Sequence, residues 1–462
     1  MTSSILIKNA HAILTGNAGD AARHDVAGQG GDIRVADGLI AAMGRLNALP
    51  GEQVIDATDC VVYPGWINTH HHLFQSLLKG IPAGINLALV PWLAAVPVPY
   101  RKYFDNAHAL RIAARIGIVE LLLSGCTTVA DHQYQYYPGM PFDASEVVFE
   151  EAARLGVRFA LLRGGQTVTR AFDHAPPPQA AAETLETFLA AIEKDTKCYN
   201  DPGPMPIRRV VSSITTPTWS CKPEELDIMA AQARKLGIQM HSHLSETADY
   251  VRYCKEVHNC TPVQFVEDHG WIGPDVWYAH LVHLNAQEVK RLADTGTGMA
   301  HCPQSNCRLG SGIAPAPALM AQGGAVSLAV DGAASNEAAD MVSEAHTAWM
   351  VHRAAHGAEA ITAEDVIHMG TAGGARVMRM PGVGTLEVGK AADIGVYSLD
   401  HPRYFGLHDM AVGPVVAGGA AHLKAVLVHG KIVVRNNAIP GLDMQELRRD
   451  AQTLVNHMLA DV

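Results

Sequence analysis

The repeated alternation of strand-like and helix-like segments is the feature that most constrains this fold. From about residue 61 onward the chain repeats a short apolar run, polar residues at its end, and an amphipathic stretch closed by glycine. This alternation is typical of βα units. The segment Pro223 to Leu236 is predicted to be a helix, because proline stands in its first turn and Gly237 follows its end. Asn285 and Glu288 form a capping-box pattern that predicts the start of another helix.

Apolar runs of strand length recur in order along this part of the chain. The eight candidate strands lie near residues 61–67, 126–131, 157–163, 208–214, 238–243, 276–281, 297–301 and 326–331. Eight consecutive βα units predict an α/β fold built on a (β/α)8, or TIM, barrel.

The two ends of the chain have a different pattern. Residues 4–60 and 383–440 contain short alternating strands with glycine turns and little helical period. We expect them to form one small β-sandwich domain (1–60 and 381–462), with the barrel (61–380) inserted between its halves. From Leu442 onward an amphipathic helix is predicted to pack on the outside of the fold.

Composition and charge exclude several classes of function. With 48% hydrophobic and 18% charged residues, the chain of 462 residues has the composition of a globular protein with a large core. Lysine plus arginine number 35 and aspartate plus glutamate 46, so the net charge is −11. No basic stripe is present, so we expect neither nucleic acid nor an anionic membrane as a partner.

Membrane insertion and disulfide formation are also disfavoured. The charge-free stretches 80–100 and 309–330 are interrupted by prolines and glycines, which predicts apolar loops and not membrane spans. Lys8 stands within the first apolar run, a pattern unlike a signal peptide. The eight cysteines include no CxxC pair, and a core of this size needs no disulfides. We therefore expect free thiols and a cytoplasmic location.

Histidines cluster at the ends of two candidate strands, where (β/α)8 barrels carry their active sites. His70 and His72 share one face of an extended chain and can reach one metal, while His71 points away. The alternative for this segment is a surface histidine cluster. After strand 5, His243 is assigned as the third imidazole because it lies nearer the strand end, and His241 is expected behind the ligands or in a pocket wall.

Two further strand ends complete the constellation. His280 ends strand 6, and Asp331 follows strand 8, where a helix cap is the alternative interpretation. His283 is as compatible with a loop as with a functional role. Three imidazoles and one carboxylate suit one divalent metal, Zn(II) first and Fe(II) or Mn(II) as alternatives. A metal with an open coordination position lowers the pKa of bound water to about 7, so hydrolysis is the chemistry implied.

These residues lie in motifs that resemble the amidohydrolase superfamily, specifically its branch that deaminates heterocycles. The matching motifs are PGWINTHHH (64–72), HSHLSE (241–246), YAHLVH (278–283), AHCPQSNCRLGSG (300–312), VDGAASNEAADM (330–341) and GTLEVGKAADI (384–394). The resemblance implies a distorted barrel with a mononuclear site whose ligands are His70, His72, His243 and Asp331. Strand 4 has no lysine that could bridge a second metal as in binuclear members, so we expect one metal.

The resemblance also implies roles in hydrolytic deamination of an amino-substituted ring. Asp331 would take a proton from the attacking water, and Glu246 would protonate the ring nitrogen beside the carbon that carries the amine. His280 would hold the water and stabilise the developing oxyanion. Ammonia then leaves.

Within this branch the motifs are most similar to isoxanthopterin deaminases and next to 8-oxoguanine deaminases. A planar fused ring requires a flat apolar slot with a few polar groups at its edge. The candidates are Gln75 for a ring edge, Trp92 and Trp219 as walls, and Arg163 for a ring carbonyl. The alternatives are a helix cap for Gln75, core packing for both tryptophans, and a structural ion pair for Arg163.

The segment after strand 7 has a less defined role. His301 is a candidate for a position behind the metal ligands. Cys302 and Cys307 are expected to be neutral, buried thiols, because their spacing does not suit a zinc knuckle.

Other functions remain as alternatives. They are deamination of 8-oxoguanine or guanine, hydrolysis of chlorinated or aminated s-triazines, and a catalytically silent oligomeric scaffold. The scaffold is disfavoured because all four ligands stand together with Glu246 and His280. Family resemblance further implies a homo-oligomer that acts on a small heterocycle.

Overall fold

The computed structural model describes residues 4–17, 23–24, 31–169 and 182–460. Parts of the predicted terminal domain, residues 1–3, 18–22, 25–30 and 461–462, lie outside the described residues, as does 170–181. The strands are β1 (Ile5–Ala10), β2 (Ala12–Leu14), β3 (Arg23–His24), β4 (Gly31–Ala36), β5 (Leu39–Gly44), β6 (Gln53–Asp56), β7 (Cys60–Pro64), β8 (Trp66–Asn68), β9 (His71–His72), β10 (Cys126–Gln133), β11 (Arg158–Arg163), β12 (Arg208–Ser213), β13 (Met240–Leu244), β14 (Val276–His280), β15 (Gly298–His301), β16 (Val326–Leu328), β17 (Asp331–Gly332), β18 (Ile394–Ser398), β19 (Leu423–Val428) and β20 (Lys431–Arg435).

Helices fill most of the connections between these strands. The α-helices are α1 (Leu89–Ala95), α2 (Pro97–Tyr100), α3 (Ala107–Leu123), α4 (Ala144–Leu155), α5 (Leu185–Tyr199), α6 (Pro223–Leu236), α7 (Ala248–His258), α8 (Pro262–Asp268), α9 (Ala286–Thr295), α10 (Pro303–Arg308), α11 (Ala316–Ala321), α12 (Ala333–Asn336), α13 (Met341–His356), α14 (Ala363–His368), α15 (Gly374–Val377), α16 (Gly413–Ala417) and α17 (Met444–Ala460). Short 3-10 segments span Leu73–Leu77 and Arg101–Phe104, and a π-helical turn spans Met369–Gly373.

Two helices begin and end where the sequence predicts. α6 runs from Pro223 to Leu236, and Gly237 ends it in the left-handed conformation with φ of 68°. α9 begins after Asn285, whose side chain accepts from the backbone amide of Glu288 while Glu288 accepts from the amide of Asn285. Both ends are therefore set by local chemistry.

A parallel eight-stranded sheet forms the barrel, and this confirms the predicted fold class. Its strand order is β16-β15-β14-β13-β12-β11-β10-β8. The ring is completed without a regular ladder: the amide of Thr69 donates to the carbonyl of Leu328 at 3.4 Å, and β17 pairs in parallel with β9. This irregular closure brings the end of the first strand next to the end of the last.

The predicted first strand, 61–67, is in fact two strands in two different sheets. β7 pairs with β2 and β18 outside the barrel, whereas β8 pairs with β10 inside it. The chain passes between the sheets at Gly65, where a Cβ atom would lie 2.2 Å from the side chain of Thr127. Only glycine permits so close an approach.

Strands from both ends of the chain form two further sheets. One has the order β5-β4-β1-β6, and the other, β20-β19-β18-β7-β2-β3, combines N-terminal with C-terminal strands. Apolar side chains of both sheets share one core, including Ile7, Ile33, Val62, Ile394 and Leu427. The termini thus build one β-sandwich as predicted, and the exact domain boundaries stay a prediction.

The two apolar stretches are more ordered than the predicted loops. Residues 80–100 contain α1 and α2, and residues 309–330 contain α11 and β16. Among the described residues no helix is both long enough and apolar enough to cross a membrane. α17 packs against α3 on the outside of the barrel, and Asp443 caps its first turn.

A buried ion pair joins the barrel to the sandwich. Arg158 on β11 is fully buried and donates through Nε and Nη2 to the carboxylate of Asp393, at 2.9 and 3.1 Å. Asp393 lies next to β18, and it also accepts from the amide of His429 at 2.7 Å. A carboxylate so enclosed needs a cation, because burial without a partner is costly.

Replacing Arg158 with methionine should therefore destabilise the fold. We expect a loss of about 3–5 kcal/mol, because the change leaves Asp393 buried and unpaired. Guanidinium unfolding followed by tryptophan fluorescence measures this loss. Arg208→Met on the neighbouring strand is the control: Arg208 pairs with Asp201 at the surface, so its loss should cost less than about 1 kcal/mol. Equal losses in the two variants would contradict the structural role of Arg158.

Candidate metal centre and active-site cavity

Four buried side chains converge at the carboxyl end of the barrel. Candidate ligand atoms of His70, His72, His243 and Asp331 all lie within 4.8 Å of one another. His72 belongs to β9 and Asp331 to β17, the strand pair that closes the barrel. His71 points away, as predicted, with its Nδ1 atom 2.5 Å from the carbonyl oxygen of Asp331.

Backbone carbonyl groups set the tautomer of two of these histidines. Nδ1 of His72 lies 2.8 Å from the carbonyl oxygen of His132, and Nδ1 of His243 lies 2.6 Å from that of Thr215. A carbonyl oxygen only accepts, so each Nδ1 carries the hydrogen and each Nε2 keeps its lone pair. The lone pairs are therefore available to a metal.

His70 also carries its hydrogen on Nδ1, because a second histidine accepts a hydrogen bond from that atom. Nδ1 of His241 lies 3.0 Å from the carbonyl oxygen of Trp277, so it donates, and Nε2 of His241 accepts from Nδ1 of His70 at 2.9 Å. Nε2 of His70 then faces the other ligands with its lone pair. Burial also lowers the pKa of His70 and His243 well below the ordinary value, which keeps both imidazoles neutral.

Three of the distances between ligand atoms suit a shared metal. Oδ1 of Asp331 lies 3.3 Å from Nε2 of both His70 and His72, and Nε2 of His72 lies 3.2 Å from Nε2 of His243. Ligands bonded to one zinc at about 2.0–2.1 Å lie at about this separation when they are neighbours in its coordination shell. The second histidine group, His70 with His132 and His241, differs because its 2.9 Å contact has hydrogen-bond length.

Asp331 has a strained backbone conformation, and one of its carboxylate oxygens accepts two hydrogen bonds. Its backbone has φ of 61°, a left-handed conformation that non-glycine residues rarely adopt. The Oδ2 atom accepts from the hydroxyl groups of Ser305 and Ser335 at 2.6 and 3.0 Å. The other carboxylate oxygen, Oδ1, therefore faces the histidine ligands. Such strain persists only where surrounding contacts hold it, and it concentrates at functional sites.

Glu246 and His280 form a second pair beside the ligands. Oε2 of Glu246 lies 3.6 Å from Nε2 of His280, and Nδ1 of His280 lies 3.0 Å from Oδ1 of Asn306. Burial, and then the charge of Asp331, raises the pKa of Glu246 well above its ordinary value. Burial lowers the pKa of His280. Both shifts favour the uncharged forms, a carboxylic acid beside a neutral imidazole.

The short helix α10 supports both groups. It carries Ser305, which bonds Asp331, and Asn306, which bonds His280. The buried carboxylate of Glu344 accepts from the backbone amide of Gln304 at 2.9 Å and so holds the first turn of this helix. Sequence analysis matched this segment to the family but did not assign these contacts.

A cavity opens onto the ligands and contains most of the predicted substrate-binding residues. Gln75, Trp92 and Trp219 line it together with Glu246 and His280. The Trp219 ring packs 4.3 Å from the ring of Tyr250. The carbonyl oxygen of the Gln75 side chain has no donor among the residues that the structure describes. Two indole walls and an unsatisfied amide suit a flat, polar-edged ligand.

Arg163 does not reach this cavity. Its guanidinium donates to both carboxylate oxygens of Glu183, at 2.6 and 2.7 Å, and stacks 3.7 Å from the ring centre of Tyr136. This placement corrects the expectation that Arg163 binds a ring carbonyl and matches the alternative of a structural ion pair.

A model of the amidohydrolase family matches residues 61–433. The chain belongs to the amidohydrolase family. An isoxanthopterin deaminase from an unknown prokaryotic organism is 52% identical over 474 aligned residues, which cover 99% of this chain and 98% of that protein. The 8-oxoguanine deaminase of Pseudomonas aeruginosa PAO1 is 36% identical over 444 residues, covering 96% of each chain.

A solved structure supports the same assignment. The atrazine chlorohydrolase of Arthrobacter aurescens TC1, complexed with zinc, superposes with a TM-score of 0.90 at 26% identity and covers 98% of this chain and 100% of that chain. The present amidohydrolase is therefore an enzyme, and its His/Asp group is a site for a divalent metal.

The remaining predicted residues of the amidohydrolase lie near the centre but differ in their contacts. His241 contacts a ligand directly, as described above. His301 instead bonds another histidine, with its Nε2 atom 2.9 Å from Nε2 of His352. His283 lies 3.0 Å from the carbonyl oxygen of Ser311. Cys302 is a buried free thiol as expected, whereas Cys307 is exposed.

Several cavity residues were missed by sequence analysis. Tyr134, Gln135, Arg101 and Gln166 all line the cavity. Tyr134 and Gln135 directly follow β10, so the rule that located the histidines at strand ends could have found them. The other two lie in loops or short helical turns with no periodic signal.

Removing the acceptor for His70 should weaken metal binding. In His241→Phe the ring volume is kept, but Nδ1 of His70 loses its partner, and we expect the metal dissociation constant to rise about 10- to 100-fold. Titration against a competing chromophoric chelator measures this constant. His108→Gln, at an exposed position of α3, is the control and should bind metal normally. Unchanged affinity in His241→Phe would contradict the role given to this hydrogen bond.

Proposed function

We propose that this amidohydrolase removes the exocyclic amino group of a fused amino-oxo heterocycle, with isoxanthopterin as its substrate. The observation that carries the proposal is the pairing of Glu246 and His280 beside four metal-ligand atoms in one indole-walled cavity. The 52% identity to an isoxanthopterin deaminase along the whole chain supports this choice of ring. The 36% identity to an 8-oxoguanine deaminase supports a second candidate with the same amino-oxo edge.

We assign zinc as the metal. Three imidazoles and one carboxylate form a nitrogen-rich donor set, and three of the distances between their ligand atoms are 3.2–3.3 Å, which suits zinc. A zinc ion also accompanies the related chlorohydrolase. In such a site zinc acts as a Lewis acid and lowers the pKa of a water ligand to about 7.

The protein groups divide the proton transfers between them. Asp331 accepts a proton from the attacking water, because its Oδ1 atom faces the ligands while Ser305 and Ser335 hold Oδ2. Nδ1 of His280 donates to Asn306, so its Nε2 atom accepts a hydrogen bond from the same water and holds it beside the carbon under attack. Together these contacts orient the water toward the carbon that bears the amine.

Glu246 supplies the proton that makes the ring electrophilic. Its raised pKa favours the protonated form of the carboxyl group, and its Oε1 atom has no partner among the described residues. It donates to the ring nitrogen next to the reacting carbon, which allows the ring to lose aromaticity. The proton held by Asp331 then reaches the leaving amine. As the C–N bond breaks, the hydroxyl on the reacting carbon becomes a carbonyl and returns its proton to Glu246. Overall one water is consumed and one ammonia is released.

Ammonia release tests the substrate. We expect the purified, zinc-loaded protein to release ammonia fastest from isoxanthopterin, more slowly from 8-oxoguanine and guanine, and negligibly from atrazine and its amino-substituted relatives. A chelator-treated sample is the control and should be inactive. Preference for 8-oxoguanine would support the proposed deamination reaction but assign a different substrate. Inactivity on every ring would reject the deaminase proposal.

Two substitutions separate proton transfer from metal binding. Glu246→Gln should keep one metal per chain while kcat falls about 10²- to 10⁴-fold, the contribution of general acid catalysis. Asp331→Ala should lower both metal content and activity, because it removes a ligand and the base together. Metal analysis and steady-state kinetics measure the two effects. Glu256→Gln, exposed on α7, is the matched control; normal turnover in Glu246→Gln would exclude the proton-donor role.

A further inference from the structure

We propose that Arg101 and Gln166 form an outer subsite that binds an oxo oxygen on the substrate ring remote from the amine. This inference rests on the proposed function, since it assigns a binding site to the part of the substrate that lies away from the metal ligands. The subsite would select fused rings that carry oxygen on both rings.

Arg101 is a cavity-lining cation that forms no ion pair with a carboxylate of the described residues. It lies at the junction of α2 and the 3-10 segment Arg101–Phe104. Its Nη2 atom donates to the carbonyl oxygen of Tyr136 at 3.0 Å, which fixes the guanidinium, but Nε has no acceptor among the residues that the structure describes. Glu183, a carboxylate whose charge acts on Arg101, already pairs with both terminal nitrogens of Arg163.

A half-buried arginine whose Nε donor has no acceptor among the described residues favours the binding of a ligand oxygen. Burial lowers the pKa of Arg101, which reflects the cost of removing the charged group from water. A ligand oxygen offsets this cost through a charge-assisted hydrogen bond, and the planar guanidinium offers several donors in fixed directions. The chemistry therefore favours a carbonyl oxygen or its ionised form and disfavours an apolar ring edge.

Gln166 adds a neutral donor to the same cavity. Its backbone carbonyl accepts from the amide of Glu183 at 3.0 Å, which holds the residue in place. Its side-chain Nε2 atom has no acceptor among the described residues. A cation and an amide in one cavity, each with a donor that has no acceptor among the described residues, favour a ligand oxygen.

Tyr134 links this subsite to the metal end. Its ring centre lies 5.0 Å from that of His72, and its hydroxyl lies 3.4 Å from Nε2 of Gln75. The charge of Arg101 acts on the same phenol. His72, Tyr134 and Arg101 line the same cavity. A fused ring whose amine is at the ligands would extend along Tyr134, and the proposed subsite places the oxygen of its second ring at Arg101.

The substrates of the two relatives share the oxo group that this subsite would bind. Isoxanthopterin and 8-oxoguanine both carry an oxo group on the second ring, and pterin and guanine are the corresponding rings without it. Comparing each pair leaves the amino-oxo edge at the metal unchanged. The change in this difference between the wild-type protein and a variant therefore reports on contacts to the outer oxygen.

The decisive measurement is the ratio of kcat/KM for isoxanthopterin to that for pterin. In Arg101→Met we expect this ratio to fall about 10- to 100-fold, the effect of losing a charge-assisted hydrogen bond. The ratio for 8-oxoguanine over guanine should fall in the same direction. Arg101→Lys keeps the charge and should recover part of the loss. Arg291→Met, at an exposed pair with Glu267 on the outside of the barrel, is the control and should leave both ratios unchanged.

Equal loss on both members of each pair would overturn the subsite, because it would show a general structural effect of Arg101. If Arg101→Met does not fold, Gln166→Leu and Arg101→Lys measure the same ratios, and unchanged ratios in both overturn the inference. If the wild-type protein is inactive on every ring, the proposed function fails. Fluorescence titration of the zinc-loaded protein with isoxanthopterin and pterin then tests the subsite separately, and equal affinities would reject it.

Discussion

Hydrogen bonds at the Nδ1 atoms of three histidines are the interactions on which the rest of the site depends. Carbonyl groups of His132 and Thr215 accept from His72 and His243, and His241 accepts from His70. Each bond fixes one tautomer and directs one Nε2 lone pair toward the same point. Without them the four ligand atoms would be close together but not directed, because an imidazole that donates at Nε2 cannot bind a metal.

The irregular closure of the barrel places the carboxylate among these imidazoles. Asp331 pairs with His71 and Gly332 with His72, and the amide of Asp331 donates to the carbonyl of His70 at 3.1 Å. These contacts join residues that are far apart in the chain, and they hold Asp331 in its left-handed conformation. The same segment is supported from outside by α10, whose serine and asparagine bond Asp331 and His280. Metal ligands and proton-transfer groups therefore share one rigid support.

Much of the fold was predictable, because its signals are local. Alternation of apolar runs and glycine-terminated helices located the barrel strands close to their observed bounds, and α6 and α9 begin and end at their capping residues. The division of 61–67 between two sheets was not predictable, because it depends on the approach of Gly65 to Thr127 from another strand. The prediction that Arg163 binds a ring carbonyl was wrong for a similar reason: its carboxylate partner, Glu183, lies outside the strand that carries Arg163. The oligomeric state stays a prediction.

The sequence by itself determined which residue types stand at the strand ends: His70, His72, His243, His280 and Asp331 follow from a period of two within strands and from the rule that barrel strands present their carboxyl ends on one face. Only the tertiary structure decided the protonation of each group and the shape of the cavity. Burial, which sets the pKa of Glu246, and the acceptor facing each Nδ1 atom both depend on contacts between distant segments. Arg101 enters the cavity for the same reason, since the carbonyl that fixes it belongs to Tyr136 beyond another strand.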